Sequence, residues 1–266
     1  MNKEITPILD NKYYDEPSIF LPENLLREAR RQKNIPTCEV PDICLLDPDG
    51  DLANYLLVKG KSTKNGCWAC YHSTMYDFKL EGIPLGIVPQ IVGSSYAVLV
   101  AEQLFSSGCK LVISITSAGI LHRDDNKKRF LLIQEAVRDE GTSYHYLPPG
   151  VPAKIQGKLL DKLTELTKAD HCPWFPAKSW TTDAPYRETK RAIDKMRKEK
   201  IGCVEMEAAA LYAFATAKKQ NVICFAHLTN TMAQSEGDFE KGEYFGSIDT
   251  LNLIVKLLQW NILNWD

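Results

Sequence analysis

Two carboxylates flank a methionine in Val204-Glu-Met-Glu-Ala-Ala-Ala210, where a short apolar strand pattern meets an alanine-rich helix pattern. Side chains alternate along a strand end, so the spacing predicts Glu205 and Glu207 on one side and Met206 on the other. A carboxylate placed there can accept two hydrogen bonds, which suits the vicinal hydroxyls of a ribose, and a methionine can fill space against a sugar face. An acid at the start of a helix also complements the helix dipole. Spacing alone leaves both readings open.

A second acidic cluster, Asp47-Pro-Asp-Gly-Asp51, follows another apolar run. Asp49 or Asp51 could take a proton from water as a general base, and the same five residues have the composition of a plain turn. Asn230 can donate a hydrogen bond but cannot deliver a proton. Trp180 and Tyr186 are suited to stacking on a flat ring, or to core or interface packing. The histidines form no triad pattern; His72 and His145 are the site candidates, and His171, between Asp170 and Cys172, reads as a loop residue. Cys67-Trp-Ala-Cys70 is the only Cys-x-x-Cys, and a structural zinc needs a second ligand pair that the spacing does not offer, so neither metal nor cofactor is expected. The start of the chain carries acids and lacks an apolar leader, which argues against a disulfide framework and for a cytoplasmic location. Cys109, Cys203 and Cys224, in apolar segments, read as small buried hydrophobes.

These groups need a scaffold. Residues 1–21 read as an irregular arm, and Pro22 opens a helix over PENLLREARRQK with Leu25, Leu26 and Ala29 on one face. Residues 1–39 are thus an arm plus helix, and 40–266 one α/β domain. Ile43–Leu46 is a short strand; two or three strands fall within 67–89, with Glu81-Gly82 as a hairpin turn. A helix from Ser94 to Ser107 ends at Gly108. Leu111–Ile115 is a central-strand run that continues into Thr116-Ser-Ala-Gly119. Phe130–Val137 is a strand, about 155–169 a helix, the segment into Trp180-Thr-Thr-Asp183 a strand, and 187–199 a charged helix. Gly202–Met206 is a strand feeding the helix Glu207–Lys219; Val222–Leu228 is the last strand, and Ile248–Leu263 a terminal helix. Arg123, Lys127, Lys128 and Arg129 read as a solvated turn. Strands alternating with helices predict a three-layer α/β domain around a mixed sheet. In such sheets ligands lie beyond the carboxyl ends of strands, here Thr116–Gly119, Thr181–Asp183 and Thr229–Asn230.

Composition narrows the partners. With 32 basic and 34 acidic residues the net charge is −2, too little positive charge for a phosphate-backbone binder, so nucleic acid is not expected. No apolar run approaches the about 18 residues of a membrane span. No Gly-x-Gly-x-x-Gly follows a strand, which sets aside a dinucleotide oxidoreductase.

Val204–Ala209 resembles the Val-Glu-Met-Glu-Ala-Ala signature of the nucleoside phosphorylase superfamily, which includes uridine phosphorylases, bacterial purine nucleoside phosphorylases and methylthioadenosine nucleosidases. Other segments fall in the order of that family: Asp47-Pro-Asp49 resembles the first phosphate loop, Gly93-Ser-Ser its Gly-rich turn, Leu111–Leu121 its central strand, Glu140-Gly-Thr-Ser-Tyr-His145 the segment after the next strand, and Thr182-Asp183-Ala-Pro-Tyr186 the base-site loop. The likeness runs from about residue 40 to 258.

The resemblance implies cleavage of an N-ribosidic bond through an oxocarbenium-like state. It implies Met206 and Glu207 on the ribose, Ser117 between ribose and nucleophile, Gly93 and Glu205 beside them, and Asp183, Tyr186 and Trp180 near the base. Asn230 stands where purine-cleaving relatives carry an acid. The family's phosphate-binding arginines correspond to Gly50, to Ser114 and, from a neighbouring subunit, to the region of Tyr71 or His72, so all three are missing. Either phosphate is held in a new way, or water is the nucleophile, with Asp49 or Asp51 as base. The expected partners are a nucleoside, optionally phosphate, and further copies of the chain as a dimer or hexamer; apolar residues on several faces of the terminal helix also ask for a partner. A binding protein that kept the fold and lost turnover is the alternative.

Overall fold

The computed structural model describes residues 6–10, 12–122, 129–169, 172–231, 236–260 and 262. Arg123, Lys127, Lys128, Asp170 and His171 lie outside the described residues. The elements, in chain order, are α1 (Pro22–Lys33), β1 (Ile43–Asp47), α2 (Asp51–Val58), β2 (Ser62–Lys64), β3 (Tyr76–Leu80), β4 (Ile83–Pro89), α3 (Ser94–Ser106), β5 (Leu111–Ile120), β6 (Phe130–Asp139), β7 (Ala153–Lys154), α4 (Gly157–Leu166), β8 (Trp174–Thr182), α5 (Lys190–Lys198), β9 (Cys203–Glu205), α6 (Ala208–Lys218), β10 (Val222–Asn230) and α7 (Ser247–Gln259).

All the strands join one mixed sheet, in the order β10-β6-β8-β9-β5-β1-β4-β3-β2, with β7 paired to β6. β5 and β10 also pair, in parallel, so β5, β10, β6, β8 and β9 form a closed circuit, and β1 to β4 extend it on one side. β5 is the hub. Its first half lies between parallel β1 and β10, and its end turns onto antiparallel β9. Its Leu-Val-Ile-Ser-Ile run is buried throughout, as a strand covered on both faces requires. Parallel pairing puts the carboxyl ends of β1, β5 and β10 side by side.

α3 packs on α6, α1 on α3, and α2 on α7. α6 is apolar all round and buried from Ala208 to Ala215. Glu81 and Gly82, both at positive φ, make the two-residue turn between β3 and β4. α2 is absent from the sequence reading. The turn-like Asp47–Asp51 segment hides its start, where the Asp47 carboxylate accepts from the Gly50 and Ala53 N–H groups.

Two expectations are corrected. The apolar faces of α7 do not require a partner: Leu253, Ile254, Leu257 and Leu258 are buried within the chain, Leu251 is packed against the core, and Trp260 sits edge-on to Trp174. The cysteines are not all reduced. Cys38 and Cys67, 29 residues apart, form a disulfide, while Cys70, Cys109, Cys203 and Cys224 are buried and free. The pairing depends on the chain after α1 running beside the loop before β3, which spacing does not reveal. Among the described residues, no helix is long and apolar enough to cross a membrane.

Candidate active site

The ends of β1, β5 and β10, the junction between β9 and α6, and the turn before α3 surround a cleft of about 360 Å³. Asp49, Ser117, Met206, Glu207, Asn230 and Tyr186 all line it. Of the three polar strand ends expected there, Thr116–Gly119 and Asn230 are present. Thr181 is not, because its hydroxyl is turned inward onto Glu205.

The two acids of the Glu-Met-Glu run have separate duties. Glu205 is fully buried, and its carboxylate accepts from the Ser179 and Thr181 hydroxyls and from the N–H groups of Glu207 and Ala208, at 2.7 Å for each N–H. It holds the start of α6, so the helix-start role belongs to Glu205, which also lines the cleft. Glu207 does not cap the helix. Its Oε1 accepts from the Gly93 N–H at 2.7 Å, and its Oε2 accepts no hydrogen bond, although the residue is only 2% exposed. Burial, and then the neighbouring Glu205, push the Glu207 carboxyl above its ordinary value. The Ser94 hydroxyl donates to the Met206 carbonyl at 2.8 Å, so the turn before α3 is tied twice to this run. Gly93 adopts φ +93°, a conformation that favours glycine.

At the other end lies a small pocket of about 30 Å³ that shares Asp49, Thr116 and Ser117 with the cleft and is further lined by Asp47, Asp51 and His227. That is room for about two waters. The Ser117 N–H donates to Asp49 Oδ2 at 3.3 Å. Lys241 Nζ lies 3.2 Å from Asp49 and 2.5 Å from Asp51. Burial works against the charge on Lys241, but the hydrogen bond to Asp51 and the field of both aspartates outweigh it and raise its pKa. Burial pushes Asp47 up to about 7, with Asp49 and Asp51 adding to the shift and the Ala53 and Gly50 N–H groups opposing it. Burial pulls His227 down to about 4, leaving a neutral imidazole at neutral pH. No arginine is among the described residues lining either cavity.

Other expectations shift. Trp180 lies in the core with Ile193, Met196 and Val204, and its indole donates to Asp139 at 2.9 Å, so it does not stack on a bound ring. The Asp183 carboxylate is outside the cleft and accepts from the Gly141 N–H at 2.9 Å, fastening one loop to another. Tyr186, 100% exposed, stands at the rim. His72 lines a separate cavity, and His145 lies 3.2 Å from Lys12, outside the cleft lining. Arg129 is near Asp249 at 3.4 Å. No group of three potential metal ligands lies together among the described residues.

Sequence reasoning missed Lys241, His227 and Glu188. Lys241 belongs to a charged segment between β10 and α7 with no motif. His227 gave one usable signal, a lone histidine inside the apolar run Val222–Leu228, in register with Ser117.

The family profile described as "Phosphorylase superfamily" matches residues 42–250. A uridine phosphorylase of Thermococcus kodakarensis is 23% identical over 190 residues, 62% of this chain and 69% of that protein. A guanosine phosphorylase of Halorubrum lacusprofundi is 25% identical over 146 residues, 54% of this chain and 61% of that protein. Among solved structures, the uridine phosphorylase of Vibrio fischeri ES114 superposes with a TM-score of 0.65 at 17% identity, over 85% of this chain and 91% of that one. The AMP nucleosidase of Bacteroides thetaiotaomicron does so with a TM-score of 0.63 at 20% identity, over 90% and 99%. The structural likeness establishes a shared fold.

Proposed function

The chain belongs to the phosphorylase superfamily, and from that premise we propose that it cleaves the N-ribosidic bond of a nucleoside with water as the nucleophile. Cleavage of nucleoside ribosidic bonds in general is supported by family membership. The choice of water rests on one observation: the nucleophile end of the cleft is a pocket sized for about two waters and lined by three carboxylates, with one lysine already shared between two of them. A phosphate dianion placed there meets negative charge. Two like charges about 4 Å apart repel by about 4 kcal/mol at an effective dielectric of 20. Water carries no such penalty.

In this reading Glu207 accepts from the ribose hydroxyls through its unpartnered Oε2, and Met206 packs on the sugar. Asp49 takes the proton of the attacking water. The C1′–N bond breaks with its electron pair leaving on the base. Asn230 steadies the departing base with a hydrogen bond, and its protonation falls to solvent. Tyr186 stacks on the base from the rim. The half-buried Glu188 carboxyl, pushed up by burial, lines the same end and accepts from N–H groups of the base. A homo-oligomer rests on the family likeness alone and is checked by light scattering.

The test is release of free base from uridine, guanosine, inosine and adenosine in phosphate-free buffer. The reading expects release from at least one, with ribose as the second product. Saturable binding with no release from any of the four, with or without phosphate, supports a binding protein instead.

A further inference from the structure

His227 is a buried group for which the reading above has no use. It is 5% exposed, lines the small pocket, and has a buried Nε2 without a hydrogen-bond partner. Leaving such an atom unmet is costly, a cost that a bound water removes. The ring cannot turn away. One face stacks on Phe130 with centroids 4.8 Å apart, and Gly246 packs so closely that a Cβ there would lie 2.4 Å from Cε1. Gly246 also holds φ +82°, so both space and backbone select glycine beside the imidazole. In the sheet His227 is the register partner of Ser117, whose N–H orients Asp49. The fixed imidazole and the Asp49 carboxylate therefore belong to the lining of one pocket of about 30 Å³.

Resting on the water reading, we infer that His227 is a further catalytic residue: its Nε2 seats the attacking water against Asp49, and the pocket it closes selects the nucleophile by size. The water oxygen bonds to C1′, the C1′–leaving-group bond breaks with its pair on the leaving group, and the water's proton passes to Asp49. The imidazole stays neutral and gives one directional hydrogen bond. Lys241 is a positioning residue, acting through Asp49. Directional contacts of this kind raise the rate by fixing the attack geometry, and their loss is read in kcat rather than KM.

The inference is tested with p-nitrophenyl β-D-ribofuranoside, whose leaving group needs no base recognition, in phosphate-free buffer containing methanol. Nitrophenolate gives the rate, and chromatography separates ribose from methyl riboside. The wild type is expected to give ribose alone. His227→Ala is expected to lower kcat tenfold or more with KM little changed, and to yield methyl riboside as the enlarged pocket admits methanol. His227→Gln, which returns a polar atom near the Nε2 position, restores ribose as the main product and keeps the comparison meaningful if the alanine variant unfolds. Unchanged kcat and ribose alone from folded His227→Ala overturn the inference while leaving the water reading intact. A wild type that releases nothing until phosphate is added, and then gives ribose 1-phosphate, overturns both.

Discussion

The two ends of the cleft are built by different rules. At the end proposed to hold the ribose, the groups come from one tripeptide, Glu205–Glu207, and one turn, Gly93-Ser94, joined by two hydrogen bonds. At the nucleophile end, Asp49, Ser117, His227 and Lys241 come from four separate stretches of chain, brought together by the parallel pairing of β5 with β1 and β10 and by the segment before α7. The first end joins two short segments by bonds that span 114 and 112 residues. The second is an assembly in which charge is balanced across nearly two hundred residues. Lys241 supplies a cation to this end and shares it between Asp49 and Asp51.

The largest expected effect separates the two acids of the ribose end. Glu207→Gln loses a charged acceptor for two hydroxyls, each bond being worth about 1.5–3 kcal/mol. Its kcat/KM should fall about 100-fold or more with little change in Tm. Glu205→Gln should do the reverse, because all four of its partners are donors and an amide offers them only one acceptor oxygen. Its unfolding free energy should drop by about 2 kcal/mol or more. Equal effects of the two substitutions in both assays would erase the division of labour.

At the acidic end, burial holds the Asp47 carboxyl at about 7, against 3.8 for an ordinary aspartate. Because the folded value is raised, folding favours the protonated form: the penalty is full above pH 7 and disappears as the pH falls toward 4. The shift corresponds to about 4 kcal/mol. His227, lowered to about 4 from 6.5, acts oppositely and loses stability as the pH falls through that window. The two nearly cancel in the wild type, so the measurement is the stability of wild type minus Asp47→Asn across pH 4–7. That difference should move in favour of the wild type as the pH falls. A flat difference contradicts the burial argument.

Lys241→Met leaves Asp49 and Asp51 facing each other without their cation. Stability should fall by about 2 kcal/mol, recover partly with added salt, and kcat should drop with it. A neutral outcome would show that the pair is solvated rather than built. The smallest effect belongs to the rim: Tyr186→Ala removes an aromatic contact of about 1 kcal/mol, raising KM about fivefold with kcat kept.

Legibility followed the same division. The strands β1, β5, β6 and β10 and the helices α1, α3, α6 and α7 were readable because periodicity and end signals lie within each segment. Met206 and Glu207 stood out because they sit in one short motif, whereas their ties to Gly93 and Ser94 cross 114 and 112 residues and are invisible locally. Trp180 stays open between ring contact and core in the sequence because one aromatic next to a motif can point either way along a strand, and here it points into the core with Val204. α2 was hidden because Asp47 caps it from inside a stretch composed like a turn. Lys241 and the Cys38–Cys67 bond depend on contacts between distant segments, which no local pattern carries.

The central claim is that the acidic end of the cleft activates water. The most direct measurement is the rate and product of base release as phosphate is titrated from none, using the nucleoside that the wild type cleaves. The account predicts full turnover without phosphate, ribose as product at every concentration, and slower release in Asp49→Asn. Turnover that appears only with phosphate and yields ribose 1-phosphate contradicts it.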